Sequence, residues 1–200
     1  MLMQVVFHAQ MEAEEGSFTF ENVADGVCKK LIERHPHVFG EVEVTGSEEV
    51  LRNWDDIKKR SKGQTSQTET MLSVPRELPA LMRATKVQKK AAKVGFDWPD
   101  ISGAVDKLYE ETSELSGAIE SGSEEEIAEE LGDLLFSAVN VSRFVGCDAE
   151  EALTAATDKF MRRFACVEEK ARERGLKLEE LSLSELDALW DEAKLDLLSK

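Results

Sequence analysis

Residues 101–144 read as two helices that run toward and away from one short turn. Ala104, Leu108, Leu115 and Ala118 recur at helical spacing before the turn, and Ile127, Leu131 and Leu134 do so after it. The turn is "SGS" at 121–123, and Ser123 with Glu126 three residues on forms a capping box for the second helix. Such a segment folds as an antiparallel hairpin, and its symmetry about Gly122 sets which side chains face each other. Glu114 lies eight residues before Gly122 and Glu130 eight after; Glu111 lies eleven before and Asp133 eleven after. Equal distance from the turn means equal height, so the four carboxylates are expected at one level, about 12 to 16 Å from the turn at about 1.5 Å per residue.

Glu111 falls within the apolar stripe of its own helix, where an apolar side chain is expected, and Glu130 and Asp133 flank the stripe of the partner helix. Clustered, inward-facing carboxylates repel one another and undergo large pKa shifts unless a cation neutralises them. Oxygen-only ligands on a rigid scaffold suit Mg²⁺, with Mn²⁺ as a substitute. A solvated acidic face is the usual fate of a charge run and accounts for Glu124, Glu125 and Glu129. It does not account for Glu111, so a metal site is the expectation.

The rest of the chain carries the same period, and strand signals are nearly absent, so the expected fold class is all-α. Helices are expected over 1–13, 24–39, 47–59, from near 78 to the "AKVGFDWPD" break, over 101–119, to 144, over 149–174 and over 184–198. Gly95 is expected just past a helix end, and Pro99 blocks its continuation. The polar stretch 58–79, which contains Gly63, Pro75 and Pro79, reads as a linker.

With 41 Asp+Glu against 25 Lys+Arg the net charge is −16, a field that repels a nucleic-acid polymer but leaves room for a small phosphorylated ligand held through a cation. Three scattered cysteines, Cys28, Cys147 and Cys166, lack CxxC spacing and read as thiols of a reducing compartment. The apolar opening "MLMQVVFHAQM" lacks a basic segment and makes a poor signal peptide, and no stretch nears the ~18 apolar residues of a membrane span. A cytoplasmic protein without membrane association is expected.

Part of the chain is duplicated. "MLMQVVFHAQM" matches "LLFSAVNVSRF" in apolar pattern, "KLIERH" matches "KFMRRF", and "WDDIK" matches "WDEAK", at offsets of 133, 129 and 136 residues. The expected organisation is a partial repeat over 1–60 without the carboxylate motif, a linker over 61–77, and one complete unit over 78–200. The partial copy begins at the position equivalent to the residue after Asp133, which explains why the carboxylates occur once. A single active site per chain follows, with residues 1–60 supplying packing and dimer contacts.

"EExxE" followed by "ExxD" across a helical hairpin resembles the signature of the MazG family of all-α nucleoside triphosphate pyrophosphohydrolases. "LPALMRATKVQKKAAKVGFDW", "EELGDLLFSAVNVSRF", "KFMRRF" and "LDALWDEAK" extend the resemblance, to two-domain MazG proteins, over essentially the whole chain. It implies hydrolysis of nucleoside triphosphates to the monophosphate and pyrophosphate, Mg²⁺ dependence and a homodimer of helical bundles. It places catalytic metal ligands at Glu111, Glu114, Glu130 and Asp133, and substrate contacts at Lys159, Arg163 and Lys194, with Trp190 beside them. Lys159 and Arg163 share one helix face, as do Trp190 and Lys194. The bland reading of each pair is a surface ion pair or, for Trp190, a core anchor. One departure from the family is Glu126, where some members carry a lysine.

Asn140, seven residues past Asp133, is a candidate phosphate or sugar contact, and a satisfied core amide otherwise. Trp98 is a candidate base contact, with Phe96, although docking a helix end to the core explains both. Glu110, next to the ligands, is a candidate for positioning the water but is read first as a solvated neighbour, and His35 and His37 as turn residues, not zinc ligands. The expected activity is that of a hydrolase acting in nucleotide-pool sanitation. The competing expectation is a catalytically silent nucleotide- or metal-binding regulator.

Overall fold

The computed structural model of the chain describes residues 2–40, 46, 50, 54, 57 and 63–198. Among those residues every regular element is a helix and no strand occurs, as the all-α expectation requires. The chain divides into two compact units, Met1–Ser73 and Val74–Lys200.

The first unit holds α1 (Leu2–Glu14), α2 (Phe20–Arg34), the single turn α3 (Pro36–Phe39) and α4 (Gln67–Leu72). The Thr19 hydroxyl accepts from the Asn22 N–H while the Asn22 side chain accepts from the Thr19 N–H, a reciprocal cap that starts α2 earlier than its apolar pattern suggests. Pro36, which has no N–H to donate, separates α2 from α3 within the segment expected as one helix. α1 and α2 pack together, with Ala9 buried. Of the helix expected over 47–59 only positions 50, 54 and 57 are described, all helical; the remainder lies outside the described residues. The stretch expected as a linker contains α4, which Ser66 and Glu69 cap reciprocally, a signal that its polar composition masks.

The second unit holds α5 (Ala80–Ala92), α6 (Ile101–Ser121), α7 (Glu124–Phe144), α8 (Ala149–Glu173), a 3₁₀ turn (Leu178–Glu180) and α9 (Leu183–Leu198). α6 pairs with α7 and α8 with α9, while α5 lies against both α7 and α8. Gly122 ends α6 at φ 77°, a left-handed conformation that glycine adopts without the Cβ penalty. The cap on α7 is half of the expected box. Ser123 Oγ accepts from the Glu126 N–H, but the Glu126 carboxylate takes the Ser121 hydroxyl at 3.0 Å, because Ser121 Oγ already faces the Ser123 N–H. On α5, buried Gln88 donates from Nε2 to the Phe136 carbonyl at 2.8 Å, tying α5 to the middle of α7. Between α8 and α9 a small core forms from Val167, Ala171, Leu189 and Ala193, flanked by Cys166, Leu178, Leu181 and Trp190.

Leu131 departs from the expected inward stripe: it is 46% exposed, as are Leu135 and Phe136 to a similar degree. α7 turns Ser137 and Val139 inward instead, because it must meet α5 and α8 as well as α6. Among the described residues no helix is long and apolar enough to cross a membrane.

Candidate active site

Two helix ends fix the register of α6. Asp100 caps its start, accepting from the Ser102 N–H at 2.8 Å, and Gly122 closes it. With both ends set, Ala104, Glu111 and Ala118 fall on one line at seven-residue intervals, and all three are buried. Glu111 is only 4% exposed in a row that otherwise carries alanine. The hairpin then brings oxygens of Glu111, Glu114 and Glu130 within 4.8 Å of one another. Glu114 is exposed and Glu130 half-buried. Asp133, level with Glu111 on the hairpin, stays outside that set and is exposed.

The charges act on one another. Burial pushes the Glu130 carboxyl above the usual carboxylate range, and the negative charges of Glu114, Glu111, Asp133 and Glu129 push it further. One ammonium answers them. Lys107 Nζ lies 2.7 Å from Glu110 Oε1 and 2.7 Å from Glu111 Oε1. Donating to both holds Lys107 above the usual lysine range. Sequence reasoning missed Lys107, although its i,i+4 spacing to Glu111 was the available signal. A single shared ammonium leaves most of the cluster's charge uncompensated among the described residues. Every donor is a carboxylate oxygen, the set that fits a hard divalent cation.

A second group gathers on α8 and α9. The Arg163 guanidinium stands 5.9 Å from the Trp190 ring centroid, and Phe160 packs on the same indole at 5.0 Å. Trp190 also leans on the core between the two helices, so it anchors packing while presenting one face to Arg163. Lys159 is exposed one turn before Arg163, and Lys194 Nζ is 2.8 Å from Asp191 Oδ1. Among the described residues no hydrogen bond or ion pair joins this group to the carboxylates.

Asn140 and Trp98 sit in a third arrangement. The Arg143 guanidinium donates from Nη1 to Asp97 Oδ2 at 2.8 Å, from Nη2 to Asp97 Oδ1, and from Nη2 to Asn140 Oδ1 at 2.8 Å. The Asn140 carbonyl is therefore engaged in holding α7 to the loop before α6. Trp98, 44% exposed, lies over Gly103 so closely that an added Cβ would meet ring atom Cε3 at 2.6 Å. Glu126 is committed to its contacts with Ser121 and Ser123 and brings no positive charge. The rings of His35 and His37 face each other at 5.7 Å without further metal-ligating neighbours among the described residues.

The MazG nucleotide pyrophosphohydrolase domain matches residues 1–39 and 102–167. The chain is 43% identical over 196 residues to a nucleoside triphosphate pyrophosphohydrolase of Escherichia coli (strain K12), an alignment covering 97% of this chain and 74% of that protein. It is 44% identical over 194 residues to the nucleoside triphosphate pyrophosphohydrolase/pyrophosphatase MazG of Thermotoga maritima, covering 97% and 73%. It is also 49% identical over 195 residues to an uncharacterized protein of Bacillus subtilis, covering 97% of this chain and 40% of that one.

Proposed function

The chain belongs to the MazG nucleotide pyrophosphohydrolase family, and from that premise we propose that it hydrolyses nucleoside triphosphates to the monophosphate and pyrophosphate. The observation that carries the reading is the meeting of Glu111, Glu114 and Glu130 within 4.8 Å across one hairpin, with Glu111 buried where an apolar residue would be cheaper. Glu111, Glu114, Glu130 and Asp133 would hold Mg²⁺, or Mn²⁺ in its place. When bound, the ion supplies charge neutralisation and lowers the pKa of water.

The chain's own residues do the rest. Lys107 orients the Glu111 carboxylate through its 2.7 Å contact, so the buried ligand has a fixed direction before substrate arrives. Lys159, Arg163 and Lys194 neutralise the phosphate tail, and the Trp190 ring supports the Arg163 guanidinium from 5.9 Å. Trp98 and Asn140 are the candidates for contacts to base, sugar or phosphate. The water oxygen bonds to the α-phosphorus and the bond from that phosphorus to the α–β bridging oxygen breaks. Its electron pair leaves with pyrophosphate, and the water protons pass to solvent. No side chain becomes covalently modified.

Three further readings belong to this proposal. Homodimerisation is supported by the apolar side chains Tyr109, Ile119, Leu131, Leu135 and Phe136, which the single chain leaves exposed. A partial repeat over 1–60, a connecting segment over 61–77 and a catalytic unit over 78–200 are supported by the two separate stretches that match the domain. A cytoplasmic location and a role in nucleotide-pool sanitation fit the free thiols and the expected chemistry.

The test is a pyrophosphate-release assay with canonical, deoxy and oxidised nucleoside triphosphates and Mg²⁺. Turnover is expected for the native chain and a loss of at least about a hundredfold for Glu114→Gln, whose exposed position spares the fold. Equal rates in the two proteins would leave only a silent nucleotide- or metal-binding role.

A further inference from the structure

The first unit contains a cleft of about 360 Å³ lined by Lys30, Leu31, Arg34, His35, Val50 and Trp54. Its walls are apolar and its rim is cationic. The Arg34 guanidinium stands 5.7 Å from the Trp54 ring centroid, and Arg34 Nε is buried without any hydrogen-bond partner. A buried, charged donor without an acceptor is costly to maintain unless something supplies one. Lys30, exposed one turn earlier on the same face of α2, has no ion-pair partner among the described residues. The His35 ring, also at the cleft, has Nδ1 2.8 Å from the Leu31 carbonyl.

The same pieces occur in the second unit. Lys30, Arg34 and Trp54 are the internal-repeat equivalents of Lys159, Arg163 and Trp190, and the two guanidinium–indole distances are 5.7 Å and 5.9 Å. In α9 the indole is packed into a core; in the first unit it lines an open cleft. Among the described residues the lining of this cleft carries cations and an aromatic face but no carboxylate, and no metal-ligating cluster lies there. A plane of aromatic carbon beside two cations suits a ligand with a flat heterocycle and an anionic tail.

We propose that the first unit binds a nucleoside triphosphate in this cleft without hydrolysing it, making a second nucleotide site that needs no metal. The base stacks on Trp54 between Leu31 and Val50, and the phosphates meet Arg34 and Lys30. The comparison with Lys159, Arg163 and Trp190 rests on their proposed substrate role, whereas the open cleft and the unpartnered Arg34 Nε do not.

The experiment uses the full-length chain carrying Glu114→Gln, Lys159→Ala and Arg163→Ala together, in excess chelator, titrated calorimetrically with α,β-methylene-ATP. One equivalent per chain is expected to bind, with affinity falling at least tenfold in Arg34→Ala and in Trp54→Ala on that background. Lys30→Ala, exposed and harmless to folding, should weaken binding severalfold and reduce its salt dependence. Circular dichroism of each variant identifies any loss that comes from unfolding. Absence of binding to the parent triple variant, or binding that neither Arg34→Ala nor Lys30→Ala alters, overturns the proposal. Because the chelator and the triple variant silence the second unit, these outcomes do not depend on whether the chain hydrolyses anything.

Discussion

Lys107 Nζ lies 2.7 Å from Glu111 Oε1 on the same helix, so the buried carboxylate of the hairpin already has one cation beside it. That ion pair separates two accounts of why Glu111 is tolerated inside. Were Lys107 sufficient, the remaining acids would be bystanders. Yet Lys107 is shared with Glu110, and Glu130 still feels the charges of Glu111, Glu114 and Asp133. Local pairing therefore leaves charge at this site that the proposed cation would offset.

Lys107→Met separates the contributions. It leaves a buried carboxylate without its donor and so destabilises the fold. The variant should melt below the native chain in chelator, and saturating Mg²⁺ should restore more stability to it than to the native chain. Calorimetry with and without the ion reads this directly. A deficit of the same size in both conditions would show that no cation competes with Lys107 for Glu111.

Lys159 and Arg163 should differ in what they lose. Lys159 is exposed, so Lys159→Ala should change stability by no more than about 0.5 kcal/mol while raising KM for a nucleoside triphosphate by about tenfold. Arg163 also covers the Trp190 ring, so Arg163→Ala should raise KM and lower the unfolding midpoint together. Steady-state kinetics beside urea titrations distinguish the pair. An unchanged KM in both would remove them from the substrate site.

The contact between Trp98 and Gly103 gives a third prediction. In a helix interior alanine is ordinarily worth about 1 kcal/mol over glycine. At position 103 the added Cβ would sit 2.6 Å from the indole, so the ring must move. Gly103→Ala should forfeit the helix-propensity gain, at a net cost of about 1 to 3 kcal/mol, and red-shift Trp98 emission in a Trp54→Phe, Trp190→Phe background. A stabilised protein with unshifted emission would mean that the ring is not held there.

Much of this arrangement was legible in the residues, and the parts that were not have physical reasons. Hairpin arithmetic about Gly122 correctly gave the meeting of Glu111, Glu114 and Glu130, because a helix converts sequence distance into height almost without error. It did not give the angular position of Asp133, which height alone leaves open. Leu131 was misplaced because one apolar stripe cannot reveal that α7 must serve α5 and α8 as well. α4 was missed because its cap, Ser66 with Glu69, lies in a polar stretch that reads as linker. The network of Asp97, Arg143 and Asn140 joins residues 46 apart, a pairing that no local spacing announces.

That network yields the last prediction, a pH dependence whose sign is fixed. The Arg143 guanidinium, by donating to Asp97, holds its carboxyl below the usual aspartate range. A depressed folded-state pKa means that the unfolded chain takes up the proton first, at about 3.9. The stabilisation is therefore fully present above that value and is lost as pH falls through the lower, folded-state pKa. Both side chains are mostly shielded from solvent, so the paired hydrogen bonds should contribute about 1 to 3 kcal/mol. Asp97→Asn should be less stable than the native chain by a constant amount from pH 7 down to about 5, with the gap narrowing below about 4. Urea titrations across that range measure the gap. If it stayed constant to pH 3, the carboxylate charge would not be what joins α7 to the loop preceding α6, and the neutral hydrogen bonds from Arg143 would suffice.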